Sequence, residues 1–190
     1  MMPNGAEVAS GIYGAWRMLR FDPQGMAFFD GSVEGFWKSF YAAVLVAPGY
    51  AIVVALNLAA APPATGFLHL LSIETLAYVI GWLAFPLAAF YLCDWIGKSA
   101  GYVVYIVAFN WSKVIQLCLY LPAKLINEAG ILPTGLEPLL DLLVALVIIA
   151  YQWFITKVAL GMSGFGPAGF IVLDFAIGVL IISITDGLIR

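Results

Sequence analysis

Residues 39–73 contain no Asp, Glu, Lys or Arg, and long uncharged runs return at 75–93, 99–112, 142–156 and 158–173. A helix needs about 20 apolar residues to cross the hydrocarbon core of a bilayer. Soluble domains carry roughly 25% charged residues, whereas here 10% are charged, 64% are hydrophobic and the mean hydropathy is +1.03. A water-soluble globular domain is excluded. The 190 residues leave room for roughly four to six spans and little else.

Breaks in the apolar pattern predict five transmembrane helices near 37–60, 74–93, 99–121, 136–156 and 166–185. Pro62-Pro63 and Gly66 separate the first two, Glu74 and Asp94 bound the second, and Pro122 closes the third. The expected fold class is all-α, a polytopic membrane protein in which residues 31–190 form one membrane domain behind an N-terminal segment, residues 1–30. In that segment Val8, Ile12, Ala15, Trp16 and Leu19 share one helical face, with Glu7, Ser10, Arg17 and Arg20 elsewhere. Such a helix is expected to lie in the membrane interface, with Trp16 buried and the arginines at the headgroups. Docking on the spans is the alternative. Phe21-Asp22-Pro23-Gln24-Gly25 has the chemistry of a terminating turn. Charges at Glu7, Arg17, Arg20, Asp22 and Asp30 interrupt the start of the chain, so no cleavable leader is expected.

Basic residues flanking spans stay in the cytoplasm. Arg17, Arg20, Lys38, Lys98 and Lys157 fall on one side of a five-span layout, with Lys124 and Arg190 on the other. This predicts a cytoplasmic N-terminus and a C-terminus on the opposite side. A net charge of -3 without a basic cluster argues against nucleic acid as a partner. Cys93 and Cys118 lie in apolar runs and are expected as free, buried thiols.

The first span repeats small residues every fourth position, Gly35, Ser39, Ala43, Ala47, Ala51, Ala55 and Ala59. Such a ridge lets helices approach closely in lipid, although an alanine-rich composition also produces it by chance. Pro48-Gly49 and Pro86 should kink or loosen their helices. The remaining signal is polar content at membrane depth: Asn110, Lys113, Gln116, Asp141, Gln152 and Asp174. At 1.5 Å per residue, Lys113 and Asp141 sit roughly 12 and 8 Å from the same face, close enough to pair, while Lys157 is within reach of Asp174. These groups read either as a polar track for a proton, ion or small solute or as fasteners between helices.

Two literal motifs fail their structural context. Gly164-Phe165-Gly166-Pro167-Ala168-Gly169 matches G-x-G-x-x-G but joins two spans instead of a strand and a helix. Gly97-Lys98-Ser99 lacks the first glycine of a phosphate loop, because residue 92 is Leu. His69 is the only histidine and is expected in a loop, so no histidine-pair metal site, cofactor or nucleophile-base pair is anticipated.

The segments Gly14-Ala15-Trp16-Arg17, Gly35-Phe36-Trp37-Lys38-Ser39-Phe40 and Phe109-Asn110-Trp111-Ser112 sit in a chain with an amphipathic N-terminal segment and five closely spaced spans. This layout resembles the Yip1-like membrane protein family, in a form similar to its bacterial members. The resemblance is architectural and covers most of the chain. It implies a non-enzymatic protein of a bacterial inner membrane that organises membranes and contacts partners or itself, and it carries over no catalytic residue. The alternative expectation is a small transporter or channel using Lys113, Asp141 and Asp174.

Overall fold

The computed structural model describes residues 2–60, 65–133 and 135–189, and every regular element among them is helical. Helix α1 (Gly5–Leu19) starts at a capping box. Asn4 Oδ1 accepts from the Glu7 amide at 2.9 Å, and Glu7 Oε2 accepts from the Asn4 amide at 2.7 Å. It stops at a turn in which Phe21 takes a left-handed φ of 56°. Asp22 then caps a 3-10 turn, Pro23–Phe28, while accepting from Arg17 Nε at 2.6 Å. Helix α2 (Val33–Ser39) begins at Ser32, whose Oγ accepts from Gly35 N, and only Phe40 separates it from α3 (Tyr41–Ala60).

The remaining helices are α4 (Phe67–Trp95), α5 (Tyr102–Glu128), α6 (Glu137–Ala159) and α7 (Ala168–Ile189). Five segments are long and apolar enough to cross a membrane: Val33–Ala60, Phe67–Trp95, Ser99–Glu128, Glu137–Ala159 and Ala168–Ile189. The five-span reading holds, and the protein is an integral membrane protein by this measure.

Its spans are longer than the charge pattern suggested. Helix α4 begins well before Glu74, whose carboxylate is not left to lipid but accepts from the Tyr50 hydroxyl at 2.8 Å. Helix α5 continues through Pro122. Beyond that proline Ala123 is buried, Lys124 pairs with Glu128 at 2.7 Å, and Asn127 Nδ2 donates to Asp141 Oδ1 at 2.8 Å. These contacts offset one missing backbone donor. Pro48 and Pro86 likewise sit within continuous helices. His69 lies in the first turn of α4 and not in a loop. The expected break at Pro62-Pro63 and the charge of Arg190 lie outside the described residues.

Helix α5 is the axis of the bundle. Residues 105–112 are all buried, which for a helix requires neighbours on every side. α2 and α3 run parallel to it, Ser39 of α2 meeting Asn110 and Gly49 of α3 meeting Leu117. α6 runs antiparallel, with Gly101 beside Ala159 and Asn127 beside Asp141. α7 packs mainly along α4.

The fourth side of α5 is closed by α1, which docks on the spans through Gly11, Gly14, Ala15 and Met18. Its start touches α2 through Glu7 and Lys38, and its middle touches α6, where Tyr151 OH donates to Ala15 O at 2.7 Å. Thus α1 lies across α5 at one level. Trp16 is 48% exposed and lies off the docked face, so the helix packs on the bundle through its small residues. Cys93 is buried, but Cys118 is exposed on the outside of the bundle and not buried as expected.

Candidate functional site

Four of the six polar residues singled out at membrane depth converge. Lys113 on α5 lies 3.2 Å from Asp174 Oδ2 on α7, and Gln152 Nε2 on α6 donates to the same oxygen at 3.0 Å. Gln152 Nε2 also approaches Gln116 Oε1 at 3.4 Å, and Gln116 Nε2 donates to Ser112 Oγ at 3.0 Å. The Lys113 ammonium stands 4.3 Å from the centre of the Phe109 ring, an added cation–π contact. One carboxylate therefore ties α7 to both α5 and α6.

The other two lie apart. Asp141 does not pair with Lys113 as expected, because it sits near the start of α6, several turns along the bundle from Lys113, where Asn127 near the end of α5 is its partner. Lys157 is exposed and Asp174 is engaged by Lys113 and Gln152 instead. Asn110 is buried on another side of α5, where its Nδ2 donates to Ser39 Oγ at 2.9 Å, and its Oδ1 has no partner among the described residues. Helical drift explains the split, since successive steps of three residues rotate the side chain steadily around the axis.

The cluster is not sealed. Lys113 and Asp174 side chains keep 27% and 21% exposure, because cavities flank them. A cleft of about 700 Å³ between α5, α6 and α7 runs from Lys124 and Asp141 at its mouth to Lys113, Gln152 and Asp174 at its floor. A second cavity, of about 400 Å³, reaches Lys113 from the α3 and α4 side. Beyond the floor, toward the α1 end, aromatic side chains pack closely. Phe85, Tyr105, Tyr151 and Phe170 are almost wholly buried there, Phe85 stacks on Phe109 at 4.2 Å, and Tyr105 meets Phe170 edge-on at 5.4 Å.

The small-residue ridge divides by level. Gly35 packs against the backbone of Asp30, and Ser39 bonds to Asn110. The Ala43 carbonyl accepts from Tyr78 OH at 2.6 Å. Ala47, Ala51 and Ala55 line a cleft facing α4, and Ala59 is exposed. The face that meets α5 closely is instead Ser39, Ala42 and Gly49, where the four-residue period has drifted out of register with the contact. Tyr50, Tyr78 and Glu74 form a further polar group that neither charge pattern nor motif spacing marks. Its signal was available, since a lone Glu amid apolar residues in α4 demands a partner.

The segment 164–169 forms the reversal between α6 and α7, with Gly164 at φ 58°. Arg17, Lys38, Lys98 and Lys157 gather at the α1 end of the bundle, Lys98 Nζ donating to Gly161 O at 3.3 Å, and Lys124 lies toward the other end. Comparison of this chain with protein-family models, curated proteins and solved structures finds no match.

Proposed function

We propose that this integral membrane protein is non-enzymatic and Yip1-like, an organising or accessory component that works through helix packing and contacts with a membrane-protein partner or a second copy. One observation carries the reading: the intramembrane polar groups bond to one another across helices, and the buried aromatic layer around Tyr105 and Phe170 packs beneath them. Groups that satisfy each other in this way fasten helices. The α1 end, where the basic residues gather, is the cytoplasmic end of this proposal, in a bacterial inner membrane.

A second reading, a small transporter, is favoured by the cleft that leads to Lys113 and Asp174 from the opposite end. Proteoliposomes loaded with dyes for H⁺, Na⁺, K⁺ and Cl⁻ separate the two. The organising role predicts no flux above empty vesicles and a loss of stability in Lys113→Met. Specific flux that disappears in a stable Lys113→Met protein overturns it in favour of transport.

A further inference from the structure

Away from the Lys113 cluster, the halves of α3 and α4 farthest from α1 part to leave a cleft of about 420 Å³. Its walls are apolar, formed by Ala47, Ala51 and Leu71 among others, and Phe67 stands at its rim. Its polar content is narrow. Glu74, about 10 Å along α4 from Phe67 by the helical rise, accepts from Tyr50 OH at 2.8 Å. The rings of Tyr50 and Tyr78 lie 4.7 Å apart at the same place, and Tyr78 OH is committed to the Ala43 carbonyl. Among the described residues no Lys or Arg forms an ion pair with Glu74.

An ionised carboxylate facing apolar walls is costly unless a counter-charge joins it, and a single tyrosine hydroxyl supplies only one hydrogen bond. The cavity beside it has the volume of a small organic molecule. An inorganic cation or a bare primary ammonium would lose water and find few oxygens in return. An alkylated ammonium has a diffuse charge, apolar substituents that match the alanine and leucine walls, and an attraction to tyrosine faces.

We propose that the α3–α4 cleft binds an organic ammonium group, with Glu74 as its counter-charge and the Tyr50 and Tyr78 rings as its aromatic wall. The site stands whether the protein organises membranes or moves solutes. The ammonium can come from a free lipophilic tertiary or quaternary amine or from a choline-lipid headgroup, which share this chemistry.

The test uses the full chain in dodecyl maltoside, titrated calorimetrically with benzyltrimethylammonium and with its uncharged isostere, neopentylbenzene. The cation should bind saturably, and the isostere at least tenfold more weakly. Glu74→Gln should lower cation affinity tenfold or more while eluting as the native protein does, and Tyr50→Phe, which keeps the ring, should lose less. Equal binding of cation and isostere by the unaltered protein overturns the proposal without relying on any variant; so does an unchanged affinity in Glu74→Gln. Nanodiscs of phosphatidylglycerol with and without phosphatidylcholine then assign the source. Competition by phosphatidylcholine places a headgroup in the cleft, and its absence places a free amine there.

Discussion

The two ends of α5 are packed in different ways. Toward α1, residues 105–112 are enclosed on all sides, whereas from Lys113 onward the same helix borders two cavities. Four neighbouring spans do not surround a fifth tightly along its whole length. At one end the enclosure is completed by α1 and its turn, which reach the axis because Gly11 rests on the Trp111 ring and Gly14 and Gly25 meet backbone to backbone. At the other end no described element takes that place, and α6 and α7 border an open cleft. The dense end is held by apolar contact; the open end depends on a few polar ties, with Asp174 bridging three helices.

The largest effect should come from breaking that bridge. Asp174→Leu leaves the Lys113 ammonium without its partner and removes the Gln152 acceptor. Breaking one side of a buried pair costs about 3–5 kcal/mol; because these side chains keep about a quarter of their exposure, 27% and 21%, a loss of about 3 kcal/mol is expected. Reversible unfolding in mixed detergent reads it. The double variant Lys113→Met with Asp174→Leu should recover most of the loss. If it does not, the pair is no fastener and the open end is held by something else.

The dense end should break next most severely at Gly11. A Cβ there would sit 2.5 Å from the Trp111 ring, and that indole is itself packed within the core. Gly11→Ala should cost about 2 kcal/mol, within the usual range for overpacking, and should raise amide exchange throughout α1. A neutral result would mean that α1 contributes little to enclosing α5.

These two ends also differed in how far the sequence revealed them. The five spans were legible because uncharged length is a one-dimensional signal, and the turn at Phe21 to Gly25 was legible from Pro and Gly. That α1 docks stood only as the alternative to an interfacial helix, since Gly11 and Gly14 carry no hydrophobic signal; smallness matters only when the facing residue, Trp111, is known. Equally, Lys113, Gln116, Gln152 and Asp174 could be named as buried polar groups, but their pairing could not. It depends on the relative level of three helices, and the longer true extent of α5 sets Asp141 beside Asn127 and out of reach of Lys113. The repeat from Gly35 to Ala59 was visible, while the contacting residues Ala42 and Gly49 follow a different period.

Gly49 sharpens the contrast with Gly11. The added Cβ would meet the tip of Leu117, a flexible side chain that borders the cavity reaching Lys113 and can turn into it. Gly49→Ala should therefore cost less than about 1 kcal/mol, helped by the better helix propensity of alanine. The same detergent titration checks it. A loss as large as that of Gly11→Ala would show that the open end is packed as rigidly as the dense one.

The smallest expected effect is one of pH, confined to the dense end. Glu7 is held below the ordinary carboxylate range by the Lys38 ammonium, which donates to it at 2.6 Å, and by the Asn4 amide. Asp30 is held low by the amide and hydroxyl of Ser32. When the folded state has the lower pKa, the unfolded or undocked chain takes up protons first as the medium turns acid, so the stability these groups contribute is complete above about pH 5 and falls away below it. Amide exchange of α1 should stay level from about pH 8 to 5 after correction for the intrinsic rate, then rise relative to that of α5. Lys38→Gln removes the leading cause of the Glu7 shift and should flatten this acid response while leaving the Asp30 part in place. An α1 that loosens on the alkaline side instead would assign its docking to groups other than these carboxylates.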